Sequence, residues 1–348
     1  MRRKAFSFFA FSAIVAAMPG TAEDSPPPKK LEQGEAVAAA APAPIPATVD
    51  SPSLEKLEQG RLGALVASGF TRSALGGEAD RLVFYASGSG SPLIFLHGVG
   101  HRGSAWFEVA PAFVKAHRVI VPDLPGHGES APAEGDLPMA TIVAGVERLL
   151  AEATHEEPAI VVGNSMGAWL ATILAHRHPE SVARIVLVNG GPIPGDPGAP
   201  SLLPATREEA GKLMAMLRDP SAPPLPDWLL DDLVRRAPNG ATARLTRDLP
   251  GLIAHLLIGR LGEVRTPVEL LWGASDQLMK ISYAERLRDQ FPAARLTRID
   301  RCGHIPAIEC APAFVDALGK LLDSPAPVAP AASADGPATT SPSGAGAA

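Results

Sequence analysis

Strand-like and helix-like segments alternate between residues 69 and 323, which predicts an α/β fold: a mainly parallel sheet with helices on both faces. Two further observations support it. The strand segments are near-continuous Val, Ile and Leu runs, as in Leu93-Ile94-Phe95-Leu96 and Ile185-Val186-Leu187-Val188, which suits strands buried on both sides. A helical excursion at about 192–264 is too long for a simple connection, so a helical cap is expected there, inserted before the last two strands.

The elements follow in order. Met1-Arg2-Arg3-Lys4 is basic, Ala5 to Met18 is apolar and uncharged, and Gly20-Thr21-Ala22 puts small residues ahead of Glu23-Asp24. That is the pattern of a secretory signal peptide over 1–22, so the chain is expected to be exported, periplasmic or secreted. The apolar run is short against the about 20 residues a bilayer-spanning helix needs, and no later segment is apolar enough, so no stable membrane span is expected. Residues 23–50 and 324–348 are dominated by Pro and Ala, with Ser and Gly in the second; neither can bury enough apolar surface to order itself. The folded domain is therefore expected over 51–323. Ser51-Pro52-Ser53 offers a cap for a helix from Leu54 to Ala67.

Within the domain, strands are expected at Leu82–Ala86, Leu93–Leu96, Arg118–Val121, Ala159–Val162 and Ile185–Val188, with helices at Ala105–Ala116, Met139–Ala153 and Met166–Arg177. The excursion begins with the Pro/Gly-rich stretch Gly191 to Pro197. Helical patterns then occupy Thr206–Arg218, Asp227–Arg236 and Ala241–Ile258. Strand Val268–Trp272, helix Tyr283–Gln290, strand Arg295–Ile299 and helix Ala311–Leu322 close the domain. In open sheets of this kind a site lies beyond the carboxyl ends of the strands.

The composition is that of an ordinary globular chain: 348 residues, 46% hydrophobic and 20% charged, with a net charge of −6 that is not clustered. That balance argues against a nucleic-acid partner. No sequence signal specifies an oligomeric state.

The chemistry gathers at strand ends. Gly163-Asn164-Ser165-Met166-Gly167 follows an apolar strand and opens an apolar helix. In that context G-x-S-x-G places a serine on a sharp, strained turn, its hydroxyl exposed at the N-terminus of a helix whose N–H groups favour negative charge. A serine hydroxyl is a weak nucleophile until a base takes its proton, so a histidine oriented by a carboxylate is required. His304, in Arg301-Cys302-Gly303-His304 after the last strand, fits the base. Asp276, in Trp272-Gly273-Ala274-Ser275-Asp276 after the preceding strand, fits the carboxylate. The chain order Ser, Asp, His agrees with this arrangement. Asp123 precedes the serine and Asp300 lies at the strand end itself, so both fit less well. A tetrahedral intermediate needs two donors at its oxyanion, and position assigns the backbone N–H groups of Val99 and Met166. His97, ahead of the nucleophile, is expected to hold its own loop.

Cys302 and Cys310 bracket His304. An exported chain permits a disulfide between them, and two partly buried thiols are the alternative the spacing leaves open. His176 and His178 end a helix without a carboxylate set beside them, so no metal site is expected.

Taken together, Leu96-His97-Gly98-Val99-Gly100, Asp123 to Ser130, Gly163 to Gly167, Trp272 to Asp276 and Gly303-His304-Ile305-Pro306 resemble the α/β-hydrolase superfamily, in its cap-bearing, serine-nucleophile branch, over about residues 70–322. Ser165 separates the chain from the branches with Asp at that position, the epoxide hydrolases and haloalkane dehalogenases. The resemblance implies a Ser-His-Asp hydrolase of small-molecule acyl substrates without a cofactor, carboxylic esters first. The Gly-Asn-Ser-Met-Gly elbow is similar also to carbon–carbon bond hydrolases acting on meta-cleavage products. A non-catalytic binding protein that kept the fold is the third reading, and the triad looks whole.

Overall fold

The computed structural model describes residues 52–196, 201–291 and 293–328. The segment read as a signal peptide, the 23–50 linker, Ser51 and residues 329–348 of the tail lie outside the described residues, as do 197–200 at the start of the cap.

Helix α1 (Leu54–Ala67) starts where Ser53 accepts the Lys56 N–H, the N-cap its sequence predicts. Eight strands follow, interleaved with helices: β1 (Thr71–Leu75), β2 (Leu82–Ser87), β3 (Pro92–Leu96), β4 (Arg118–Pro122), α2 (Met139–Ala153), β5 (Ala159–Asn164), α3 (Met166–Arg177) and β6 (Val182–Val188). The cap helices α4 (Arg207–Leu217), α5 (Asp227–Arg236), α6 (Ala241–Leu245) and α7 (Leu249–Ala254) come next. Then β7 (Val268–Gly273), α8 (Ile281–Arg288), β8 (Arg295–Ile299), α9 (Pro306–Glu309) and α10 (Ala311–Asp323) complete the chain. Among the described residues the strands form one sheet in the order β1-β2-β4-β3-β5-β6-β7-β8. The two pairings that involve β2 are antiparallel and the rest are parallel.

Alternate residues of each buried strand face opposite layers. Ile94, Leu96, Val161, Leu187 and Trp272 pack against α2, α3 and α8; Leu93, Phe95, Val162, Val186 and Leu271 pack against α10 and the segment 103–113. Fully burying one such side chain is worth about 1.5–3 kcal/mol, so the period-2 split of the strands ties both helical layers to one sheet.

Three expectations need correction. The single helix expected at Ala105–Ala116 is instead two 3₁₀ turns, Gly103–Trp106 and Ala110–Phe113. Pro111 has no N–H to donate and its ring opposes a continuous α-helix through that point. The helix expected over Ala241–Ile258 is broken into α6 and α7, because Asp248 caps a new start by accepting the Gly251 N–H at 3.0 Å, with Pro250 in the first turn. The helix expected at Tyr283–Gln290 begins and ends two residues earlier, at Ile281 and Arg288. Strand β1 was not foreseen: its Thr-Arg-Ser-Ala-Leu sequence is largely exposed at the sheet edge and lacks an apolar alternation.

The cap is anchored to the sheet body by buried Arg244 of α6. Its guanidinium donates to the carbonyls of Gly126, Pro132, Ala133, Glu134 and Gly135. No described helix is long and apolar enough to cross a membrane.

Candidate active site

Parallel register sets the carboxyl ends of five strands side by side. Leu96 pairs with Gly163, Asn164 with Val188, and Gly273 with Ile299. The residues just past these ends are Val99, Ser165, Asn189, Asp276 and His304, brought together from separate parts of the chain.

Ser165 occupies a left-handed turn, φ 55°, between β5 and α3, and its N–H donates to the Val188 carbonyl at 2.9 Å. A non-glycine residue there is strained, a conformation held at a functional turn by its surroundings. The flanking glycines make the turn possible. A Cβ on Gly163 would lie 2.1 Å from the Gly167 carbonyl oxygen, and one on Gly167 would lie 2.2 Å from that of Leu96. Met166 opens α3, so its N–H belongs to the first helical turn, where intrahelical acceptors are lacking. Val99 and Met166 line the same cavity as Ser165.

His304 is buried, and its Nδ1–H donates to Asp276 Oδ2 at 2.7 Å. That bond fixes the tautomer and leaves Nε2 as the basic nitrogen. The backbone of His304 is held at both polar groups. Its N–H donates to the Leu217 carbonyl at 2.7 Å, and its carbonyl accepts from Asn164 Nδ2 at 2.9 Å. The residue before Ser165 therefore grips the histidine loop directly.

Asp276 is buried with each oxygen doubly occupied. Oδ1 accepts the N–H groups of Leu278 and Met279 at 2.8 and 2.9 Å; Oδ2 accepts His304 and Asn189 Nδ2, the latter at 2.8 Å. Asn189 is itself fully buried, has φ 45°, and accepts the Gly273 N–H at 2.9 Å. Sequence reasoning missed Asn164 and Asn189. The one available signal was place: Asn189 directly follows β6, at the carboxyl edge where sites collect.

The competing residues lie elsewhere. Asp123 is buried and accepts the N–H groups of Gly103 and Glu129 at 2.7 and 2.8 Å, shaping its own loop; burial holds its carboxyl above the usual range. Asp300 is exposed. His97 accepts the Leu124 N–H at 2.9 Å on Nε2 and donates from Nδ1 to the Gly98 carbonyl, so it holds its loop as expected. Burial pushes it well below the usual histidine range and pushes His101 and His127 to about 4. His176 faces Arg260 and His178 faces Glu147. Among the described residues no group of three or more His, Cys, Asp or Glu is arranged to hold a metal ion. Cys302 and Cys310 are joined as a disulfide, with their Cα atoms 5.9 Å apart.

Ser165 opens into a cavity of about 950 Å³, counted with its mouth, between the strand ends and the cap. Its walls are Trp169 of α3, Leu245, Leu252 and Leu256 of the cap region, and Leu278 and Met279 beside Asp276; no described lining residue is ionisable. The Trp169 indole donates to the His255 carbonyl at 2.8 Å, fastening the cap to the helix behind the serine.

Residues 93–317 match the sequence model of the alpha/beta hydrolase family. A pimeloyl-[acyl-carrier protein] methyl ester esterase of Aromatoleum aromaticum is 36% identical over 236 residues, which span 62% of this chain and 91% of that one. A 2-hydroxy-6-oxononadienedioate/2-hydroxy-6-oxononatrienedioate hydrolase of Cupriavidus pinatubonensis is 29% identical over 256 residues, 65% of this chain and 86% of that one. Among solved structures, a bacterial membrane phospholipase A superposes with a TM-score of 0.64 at 23% identity, covering 78% of this chain and 93% of that one.

Proposed function

The chain belongs to the alpha/beta hydrolase family, and from that premise we propose that it is a serine hydrolase that cleaves a carboxylic ester of an uncharged acyl group through an acyl-enzyme. One observation carries the reading: the 2.7 Å His304–Asp276 pair is tied through Asn164 to the strained Ser165 turn, and that turn opens into a cavity none of whose described lining residues is ionisable.

In this reading each residue has one role. The Ser165 hydroxyl gives its proton to His304 Nε2 as its oxygen attacks the ester carbonyl. The N–H groups of Val99 and Met166 receive the oxyanion, each such donor being worth roughly 3–4 kcal/mol of barrier. The imidazolium passes its proton to the departing alkoxide, leaving the acyl group on Ser165. Water then enters; His304 takes its proton as the water oxygen attacks the acyl carbon, and the imidazolium returns that proton to Ser165 Oγ as the acid departs. Asp276 does not exchange a proton; it holds the tautomer that makes Nε2 the base.

The carbon–carbon reading draws on the Cupriavidus relative and on the elbow sequence Gly-Asn-Ser-Met-Gly. The cavity weighs against it. A dioate carries two carboxylates, and burying an unpaired charge in an apolar wall is strongly unfavourable. The Aromatoleum relative, an ester hydrolase by name, supports the ester reading. Export through the 1–22 segment is part of this proposal, and the Cys302–Cys310 bridge is consistent with an oxidising compartment.

The test is turnover of a neutral chromogenic ester together with labelling by a fluorophosphonate probe. Wild type should hydrolyse the ester and be labelled at Ser165. Folded Ser165→Ala should lose labelling and several orders of magnitude in turnover. Near wild-type turnover by that variant refutes the serine mechanism, and a wild type inert in both assays brings the binding-protein reading forward.

A further inference from the structure

A ring of hydrogen bonds ties the loops that carry Asp276 and His304 to the cap, and its centre is Glu309, which the mechanism above does not use. Glu309 is half-buried at the end of α9. Its Oε1 accepts the N–H of Asp219 at 2.7 Å, and its Oε2 accepts the N–H of Gly303, next to His304. Asp219 lies in the cap, just past α4. The same stretch of cap supplies the Leu217 carbonyl to the His304 N–H at 2.7 Å and the Met216 carbonyl to the Gln277 N–H at 2.9 Å. The Asp219 carboxylate accepts the Ser275 hydroxyl, and the Ser275 N–H donates to the Cys302 carbonyl at 2.8 Å. Ser275 and Gln277 flank Asp276. The Cys302–Cys310 bridge closes the ring by joining the residue before Gly303 to the residue after Glu309.

We propose that Glu309 is a positioning residue for His304, and that it makes the placement of the imidazole depend on the docked cap. A carboxylate is the one side-chain type that suits the place. Two N–H groups from different segments converge on it, and it offers acceptors on both oxygens. Glutamine offers one, and its NH₂ would oppose the second N–H. Without that bridge the Gly303–His304 backbone keeps only the Leu217 carbonyl as its tie to residues 217–219. A misplacement of about 1 Å at a reacting group costs about 100-fold in rate. The inference rests on the serine-hydrolase reading, because it assigns the ring to the placement of that reading's base.

The experiment uses the full mature chain and a double-mutant cycle of Glu309→Gln with His304→Ala, read by turnover of a neutral short-chain ester. Active sites are counted by fluorophosphonate labelling. In the wild-type background, Glu309→Gln should lower kcat roughly 10- to 100-fold and leave KM within about twofold, since the apolar cavity is untouched. In the His304→Ala background, the same change should alter the residual rate by less than about twofold, because its effect passes through the imidazole. Glu309→Asp, which keeps both acceptors, should recover part of kcat. An unchanged kcat in Glu309→Gln, or an equal loss in both backgrounds, overturns the positioning role. Should Glu309→Gln not fold, Ser275→Ala cuts the same ring at Asp219 and takes its place in the cycle, where equal losses again overturn the proposal. A wild type that neither labels nor hydrolyses the ester refutes the serine reading itself. A wild type that does both beside an unaffected Glu309→Gln refutes only the role of Glu309.

Discussion

Substituting Asn189 by Asp changes one atom of the buried bond that holds Asp276, and the consequence can be worked from the distance. Asp has the same shape and tolerates a positive φ, and it still accepts the Gly273 N–H. What changes is Nδ2, the donor 2.8 Å from Asp276 Oδ2. In its place stands a second carboxyl oxygen, with both residues at most 1% exposed. If both groups ionise, two like charges at that separation repel by about 6 kcal/mol at an effective dielectric constant of about 20. That repulsion favours a carboxyl that stays protonated, so the folded-state pKa of the added group is raised above the ordinary Asp value near 3.9. The sign follows. The folded-state pKa is raised, so the variant is close to wild type below about pH 4, where the added carboxyl is neutral and donates to Asp276. Its stability relative to wild type is lost progressively as pH rises above about 4. Urea unfolding of both proteins between pH 5 and 8.5 measures this. The stability gap should widen steadily with pH, reaching several kcal/mol at the alkaline end. A gap that stays constant across that range refutes the claim that Asn189 serves as a buried donor to Asp276.

Three further outcomes are expected. N-terminal sequencing of the exported protein should begin near Glu23, and secreted material retaining Met1 would refute cleavage after Ala22. Thiol titration of the unfolded, unreduced mature chain should find neither Cys302 nor Cys310 free; reduction should lower activity more than stability, since the entropy of so short a closed loop is worth only about 2.5 kcal/mol. Across a series of neutral esters, kcat/KM should rise about fourfold for each methylene added to a short acyl chain until the cavity is filled, following about 0.8 kcal/mol per buried CH₂. Equal rates along that series, or a preference for acyl groups ending in a carboxylate, would refute the neutral acyl cavity.

What the sequence determined by itself was whatever depends on neighbours along the chain. The Val/Ile/Leu runs specified which segments become buried strands. The glycines around Ser165 specified a turn too tight for other residues, and Ser53 specified the start of α1. Chain order and position after strands were enough to single out Asp276 and His304 over Asp123 and Asp300, because a parallel sheet collects its carboxyl ends on one edge. Interruptions were harder to read: apolar periodicity spans Pro111 and Pro250, whereas backbone hydrogen bonding does not. The tertiary structure alone decided how Asp276 and His304 are held together and which side chains line the cavity. Asn164, Asn189, Glu309 and the carbonyl of Leu217 act through hydrogen bonds between segments far apart in the chain, and most of those bonds use a backbone N–H or carbonyl. Such contacts have no period and no characteristic spacing. They exist only once the sheet register and the docking of the cap have brought their partners within about 3 Å.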